Sequence, residues 1–504
     1  MKISHQTHKE RSDEGKSIRR QSISGVTSIF TGQVAKLFLT TGSTVVMARL
    51  LDPIDFGLVG MVAVITAFFE VLRDGGLASA AVQAQAISPS EQSSLFWLNT
   101  ILGALLFALL WAVSPMIAQF NSQPNLTSIA KWMGLIFPIS ALSTQHKALL
   151  QREMRFEDLA RIEVGSTIAG VAVGISVACC GGHWWALVWM ALTTEFASTV
   201  GMWIFTKWLP EPKLEIRRVK SLINFGGYMV GFNILNYFAR NFDRLAIGRV
   251  FGPEALGIYT RAYSIFMLPL TMITTPLAAV AIPALSRLRE TPEKYAAYYV
   301  KIQRVMAIVV APVCGLSILF ADSLILVMFG EKWSSVAHIY RLLALSGFII
   351  PAISSTGWLH VSSGRSHRLF RWGCIASPCL VILVAIGLNW GIEGVATLYG
   401  FGFFVMIWPC LAYACRETDI SSFVILKGIL KPSVCVALSA AVVWSVSSRV
   451  EVTVLTSALS VVAFIGIYFV CLCLTKEMRS LLVELGSETI KLCERFYYGF
   501  FTTS

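Results

Sequence analysis

ARLLDPIDFGLVG (residues 48–60) and GRVFGPEALGIYT (residues 248–260) decide the architecture. Both carry Arg-x-x-x-Pro-x-x-x-Gly, at Arg49, Pro53 and Gly57 and again at Arg249, Pro253 and Gly257. A second echo accompanies the first. Arg152 and Arg155 in QREMRFED recur as Arg365 and Arg368 in GRSHRLFR, each ahead of an apolar run. Three identities alone are a thin motif, but both copies sit at the same place in the same order of segments. The chain reads as one module written twice, the mark of transporters that rock two similar halves around a central site.

The composition fixes the medium in which that module works. Hydrophobic residues make up 55% and charged residues 14% of the 504, with a mean hydropathy of +0.67. Soluble domains carry roughly 25% charged residues. About 20 apolar residues in a helix cross a hydrocarbon core of roughly 30 Å, and the chain offers about fourteen such stretches. The expected fold is an all-α integral membrane protein with two pseudo-symmetric six-helix lobes and a C-terminal helix pair. The expected divisions are a polar tail at 1–20, a first lobe at 21–206, a linker at 207–221 and a second lobe at 222–414. A loop at 415–429, a helix pair at 430–474 and an amphipathic tail at 475–504 complete the chain.

The tail MKISHQTHKERSDEGKSIRR lacks the apolar core and small-residue cleavage site of a secretory signal. No loop exceeds roughly 20 residues on this division, which leaves no room for a soluble catalytic domain and argues against an enzyme. The net charge of +12 is not a nucleic-acid patch, because the basic residues gather in alternate connections. Examples are Arg19 and Arg20, Arg152 and Arg155, Arg217 and Arg218, Arg287 and Arg289, and Arg365 and Arg368. By the positive-inside rule both termini are expected in the cytoplasm. The eleven cysteines show no Cys-x-x-Cys spacing of a metal or redox site, and the chemistry calls for no cofactor. Gly165, Ser166, Ala169, Gly170 and Gly174 read as a close-packing face. In the closing segment Met478, Leu481, Leu482 and Leu485 recur at helical spacing, which predicts an amphipathic helix.

Ionisable groups inside spans are costly in lipid, so they are the functional candidates. Asn233, Asn236, Tyr237, Arg240, Asp243 and Arg244 follow a three-and-four spacing along one expected helix. Such a stripe lines a water-filled cavity or a seam, or else Arg240 and Asp243 pair and stitch helices together. Gln33, Lys36, Thr40 and Thr44 occupy the equivalent helix of the first lobe. Glu70, Arg73 and Asp74 read either as a salt-bridge cluster or as further lining. Arg261 and Arg341 each either join the cavity or snorkel to the outer surface. Lys36, Arg73, Arg240, Arg244 and Arg261 together would attract an anion, and the arginine fork suits phosphate. Asp243, Glu195 and Glu70 are the candidates for carrying a proton or sodium ion.

ARLLDPIDFGLVGMV, RDGGLASAAVQ and NFDRLAIGRVFGPEALGIYTRAYSIFMLPL resemble the polysaccharide transporter family of the multidrug/oligosaccharidyl-lipid/polysaccharide exporter superfamily, above all its Wzx-type O-antigen and exopolysaccharide flippases. That family carries L-G-P-x-x-F-G and D-R-L-x-I-G-R-x-x-G-x-x-A-L-G-x-Y at these places. The likeness spans roughly residues 20 to 420; Asp52 stands where the family has glycine, and Gly252 keeps it. The resemblance implies two six-helix lobes in an inverted V that flip an undecaprenyl-pyrophosphate-linked oligosaccharide between leaflets. Arg240, Arg244 and Lys36 would then hold the pyrophosphate. A polysaccharide polymerase and a chain-length regulator are the implied protein partners, with membrane lipid around the lipid tail. The rivals are a drug exporter of the same superfamily, a peptidoglycan-precursor flippase, and a membrane glycosyltransferase or polymerase using the acids of LDPIDF. The second copy, GPEALG, keeps one acid only, so Pro53 and Gly57 read as turn chemistry.

Overall fold

The computed structural model describes residues 31–74, 88–212, 216–416, 418–447, 454–475, 477–484 and 487, and among these no strand occurs. The polar tail 1–20, the stretch 75–87, Leu485, and the side chains of Asp74, Asn233 and Asn236 lie outside the described residues. We number the helices α1 (31–50), α2 (Pro53–Asp74), α3 (Pro89–Asn121), α4 (Asn125–Met133), α5 (Ile136–Arg152), α6 (Phe156–Cys179) and α7 (Trp185–Thr206). They continue as α8 (Ile216–Leu288), α9 (Pro292–Leu319), α10 (Ala321–Phe329), α11 (Ser334–Ala344) and α12 (Ile350–Ser362). The last are α13 (Ser366–Gly387), α14 (Gly391–Cys415), α15 (Ser422–Ser447) and α16 (Val454–Cys473).

Among the described residues nine helices are long and apolar enough to cross a membrane, or up to eleven if each of two bent pairs is one span. Hydropathy gave fourteen. The difference has a physical source, because two of the nine, Arg240–Leu288 and His367–Cys415, run for 49 residues. That is about 73 Å of helix, more than twice a hydrocarbon core. Each run is broken by a glycine at positive φ, Gly252 at 84° and Gly391 at 75°. At Gly252 ψ is −176°, a conformation essentially reserved for glycine. The Tyr259 hydroxyl donates to Asp243 Oδ2 at 2.8 Å across this break. A straight helix would hold those two residues about 24 Å apart, so α8 folds back at Gly252.

The described residues divide into two compact units. The first holds residues up to Arg261 together with 325–335 and 384–392. Within it α3 starts at a complete capping box: Ser88 Oγ accepts from the Glu91 amide at 3.3 Å, and Glu91 Oε2 accepts from the Ser88 amide at 2.8 Å. Pro89 occupies the first turn, where its missing N–H costs nothing. α6 and α7 approach so closely that a Cβ on Gly174 would lie 2.8 Å from the Met190 Cβ, and one on Gly170 2.7 Å from the Met190 carbonyl oxygen. Gly170 and Gly174 of the expected small-residue face make the α6–α7 contact, whereas Gly165 is exposed and a Cβ there would meet nothing.

The second unit holds residues 262–324, 336–383 and 393 onward. Its core includes Ile308, Ala311, Cys435, Val436, Phe464, Tyr468 and Leu472, so α15 and α16 are packed on α9. The Tyr468 hydroxyl donates to the Ile308 carbonyl at 2.9 Å, which satisfies the polar end of a fully buried ring. Residues 477–484 form a short helix whose Met478 and Leu481 join that core. Lys301, Arg304 and Lys431 hold its acidic face through Glu477 and Glu484, at 2.6 to 3.8 Å. The apolar face of this tail segment thus packs on protein.

The Arg-x-x-Arg echo resolves into the same device in both units. Arg155 Nη2 donates to the Phe205 carbonyl at 3.0 Å in the last turn of α7. Arg368 Nη2 donates to the Tyr413 carbonyl at 2.7 Å in the last turn of α14. The last carbonyls of a helix have no partner inside it, and each arginine supplies one.

Candidate functional site

The Pro-Gly motif copies meet each other in the first unit. A Cβ on Gly57 would fall on the Pro253 carbonyl oxygen, and one on Gly257 would fall on the Pro53 carbonyl oxygen. This contact is reciprocal, as at a two-fold axis. Each glycine lets the other copy's backbone approach; Pro53 begins α2, and Pro253 begins the arm of α8 that follows the break at Gly252. Segment 325–335 closes around the crossing. Trp333, wholly buried, donates its indole N–H to the Ala48 carbonyl at 2.7 Å. Arg49 donates to the Val327 and Met328 carbonyls, and Lys332 pairs with Asp52 at 2.7 Å. Phe56 packs edge-on against Trp333 with centroids 5.3 Å apart.

These contacts account for both acids of LDPIDF. Asp52 carries the salt bridge to Lys332, and Asp55, almost fully buried, accepts from the Asp52 amide at 3.1 Å and so caps α2. Arg261 lies within this region too, its guanidinium carbon 4.4 Å from the Phe56 ring centre. Arg341, which the sequence leaves between the cavity and the outer surface as it does Arg261, pairs with Asp322 in the second unit.

The stripe on α8 splits into two faces. Arg240 is exposed. Asp243 is buried, with one carboxylate oxygen on the Tyr259 hydroxyl and the other on the Arg244 amide at 2.8 Å. Arg244 Nη1 donates to Asn241 Oδ1 at 3.4 Å, and the Asn241 amide donates to the Tyr237 carbonyl at 3.0 Å. Tyr237 donates its hydroxyl to the Val64 carbonyl and lays its ring against Phe68 of α2. Arg244 also lies within electrostatic range of Tyr237 and of Arg261, and Glu70 within range of Tyr237. Glu70, Tyr237, Asp243, Arg244 and Arg261 therefore belong to one charged neighbourhood. Arg73 donates to the Ser140 hydroxyl of α5, and Glu195 of α7 is half-buried.

Lys36 stands in a second group. Its ammonium lies 3.0 Å from Glu163 Oε2 on α6, while Lys147 of α5 reaches Glu163 Oε1 at 3.5 Å. Gln33, one turn earlier on α1, is exposed. Glu163 was missed from the sequence because RFEDLARIEVGS has two acids and two arginines before it, which reads as the rim of a span. Its signal was the Val164–Gly165 that follows, the start of uninterrupted apolar helix. Tyr259 stands at the end of the quoted family pattern, but its role as the partner of Asp243 depends on the reversal at Gly252; Asn241 bonds within its own helix turn, to Tyr237 and Arg244.

A bundle of apolar helices crossing at a repeated motif, with arginines and acids gathered on spanning helices, defines a multi-pass membrane protein. The structure is similar to the lipid II flippase MurJ, with a TM-score of 0.73 at 14% identity over 91% of this chain and all of that one. It is also similar to a multidrug resistance MATE family transporter of the MOP superfamily, with a TM-score of 0.61 at 15% identity over 78% of this chain and 96% of the other. The chain belongs to the polysaccharide biosynthesis protein family, which matches residues 46–338. Among curated relatives it is 26% identical to the lipopolysaccharide biosynthesis protein WzxC of Escherichia coli over 80% of this chain and 85% of that one. It is 25% identical to the succinoglycan biosynthesis transport protein ExoT of Rhizobium meliloti over 90% and 92%. The teichuronic acid biosynthesis protein TuaB of Bacillus subtilis is 25% identical over 79% of each.

Proposed function

We propose that this protein flips a lipid-linked oligosaccharide, an undecaprenyl-pyrophosphate-linked repeat unit, from the cytoplasmic to the outer leaflet of a bacterial inner membrane. Both termini lie in the cytoplasm in this reading, and translocation makes and breaks no covalent bond. The observation that carries it is the exposed Arg240 on a spanning helix, beside the charged neighbourhood of Arg244 and Arg261. A guanidinium facing acyl chains is costly, so that face meets water or an anion. A guanidinium fork pairs in bidentate fashion with phosphate oxygens. Family membership and the names of the relatives support a glycan as the remainder of the cargo. Asn233, Asn236 and Gln33 are assigned to the glycan side of the path. Asp243, Glu195 and Glu70 are the groups proposed for proton or sodium coupling. The polymerase and chain-length regulator of the same assembly line are the proposed partners.

Deleting the gene and labelling the lipid-linked glycan with a probe that cannot cross the membrane tests this reading. Accumulation on the cytoplasmic side, reversed by the wild-type gene, is the expected result. Arg240→Ala and Arg244→Ala, at normal protein level, should each lower surface polymer by at least tenfold. Unchanged outer labelling in the deletion, with new sensitivity to cationic drugs, would move the protein to drug export.

A further inference from the structure

The triad Lys36–Glu163–Lys147 carries a role beyond joining helices. α1 and α6 already touch one turn away, where a Cβ on Gly32 would lie 2.6 Å from the Ala160 Cβ. Their alignment therefore does not depend on the ion pair. The two ammonium groups converge on one carboxylate, an oxygen apiece, at 3.0 and 3.5 Å. Their side chains are 40% and 48% exposed, whereas that of Glu163 is 22% exposed. The carboxylate is the inner member, and each lysine, with three donors, keeps N–H groups facing outward. The group holds two positive charges against one negative.

An O–C–O fork between two ammonium groups occupies the geometry that an O–P–O fork would take. A half-solvated pair contributes little to stability and so exchanges readily. A pyrophosphate, with more than one negative charge, competes well for the same two lysines. Resting on the reading of an anionic cargo, we propose that Glu163 is a built-in placeholder: its carboxylate occupies the Lys36–Lys147 pair between cargoes and yields it to the phosphates of the headgroup. The returning carboxylate then helps release them. Glu163 thereby trades affinity for turnover.

The test uses the full-length protein purified in detergent, with inorganic pyrophosphate as the probe and calorimetry as the readout. Glu163→Gln keeps the side chain's size and removes its charge. It should tighten pyrophosphate binding on the order of tenfold, the effect of deleting one competing charge at this range. Adding Lys36→Gln to Glu163→Gln should abolish the gain, and Glu163→Asp should bind as wild type does. In cells Glu163→Gln should slow translocation at normal protein level, separating a placeholder from a passive staple. Equal or weaker binding by Glu163→Gln, with Lys36→Gln weakening wild-type binding, would overturn the placeholder and leave the anion site standing. A gain that survives Lys36→Gln would overturn it as well. No binding by any variant would remove the anion reading of these lysines altogether.

Discussion

Gly57 and Gly257 leave no room for a side chain, since each faces the carbonyl of the other motif's proline. Gly57→Ala and Gly257→Ala should each destabilise the protein by about 1–3 kcal/mol, as overpacking does. Thermal melting in detergent checks this, and a melting point within a degree of wild type would mean the two backbones are not held together there. Asp243 gives a second case. Its carboxylate is buried against the Tyr259 hydroxyl, so Tyr259→Phe should cost about 1–3 kcal/mol by stranding an acceptor. Pro53 and Gly57 read from the sequence as turn chemistry, whereas Gly57 lies inside α2 and serves close backbone packing. Which surface each glycine faces was not legible, because spacing along a chain says nothing of what crosses it. The same limit applied to Asp243: helical periodicity put it on one stripe with Arg240, whereas the reversal at Gly252 supplied an inward partner.

Among the elements, α7 and α14 end in the same way, with a carbonyl taken by the second arginine of the echo. Arg155→Ala and Arg368→Ala should each lower stability by about 1.5–3 kcal/mol, the worth of a hydrogen bond to a charged group. They lie in separate units, so the double variant should show the sum. A double variant no worse than either single one would mean the two caps guard one unfolding step. The echo itself was plain in the sequence, and its purpose was not, because a cap is recognised only when the helix end it covers is in place. The tail helix was legible from Met478 and Leu481. Its seat on α9 and α15 was not, since an apolar face fits a bilayer and a protein groove equally well.

At the scale of the whole molecule, composition and hydropathy disclosed the all-helical membrane fold. The breaks at Gly252 and Gly391, which merge neighbouring segments into long helices, needed coordinates. The crossing of the motifs is fastened by Trp333, Lys332 and Arg49. If cargo leaves past this seam, it must part in each cycle. Joining Asp52→Cys to Lys332→Cys with a short thiol cross-linker should then stop translocation reversibly, against a background without the native cysteines. Full transport by the cross-linked protein would show that the seam stays shut throughout. Because each copy's glycine is filled by the other copy's proline, the duplication confers no redundancy. Neither half carries a spare of the motif, and a lesion in one is felt at once as a lesion in both.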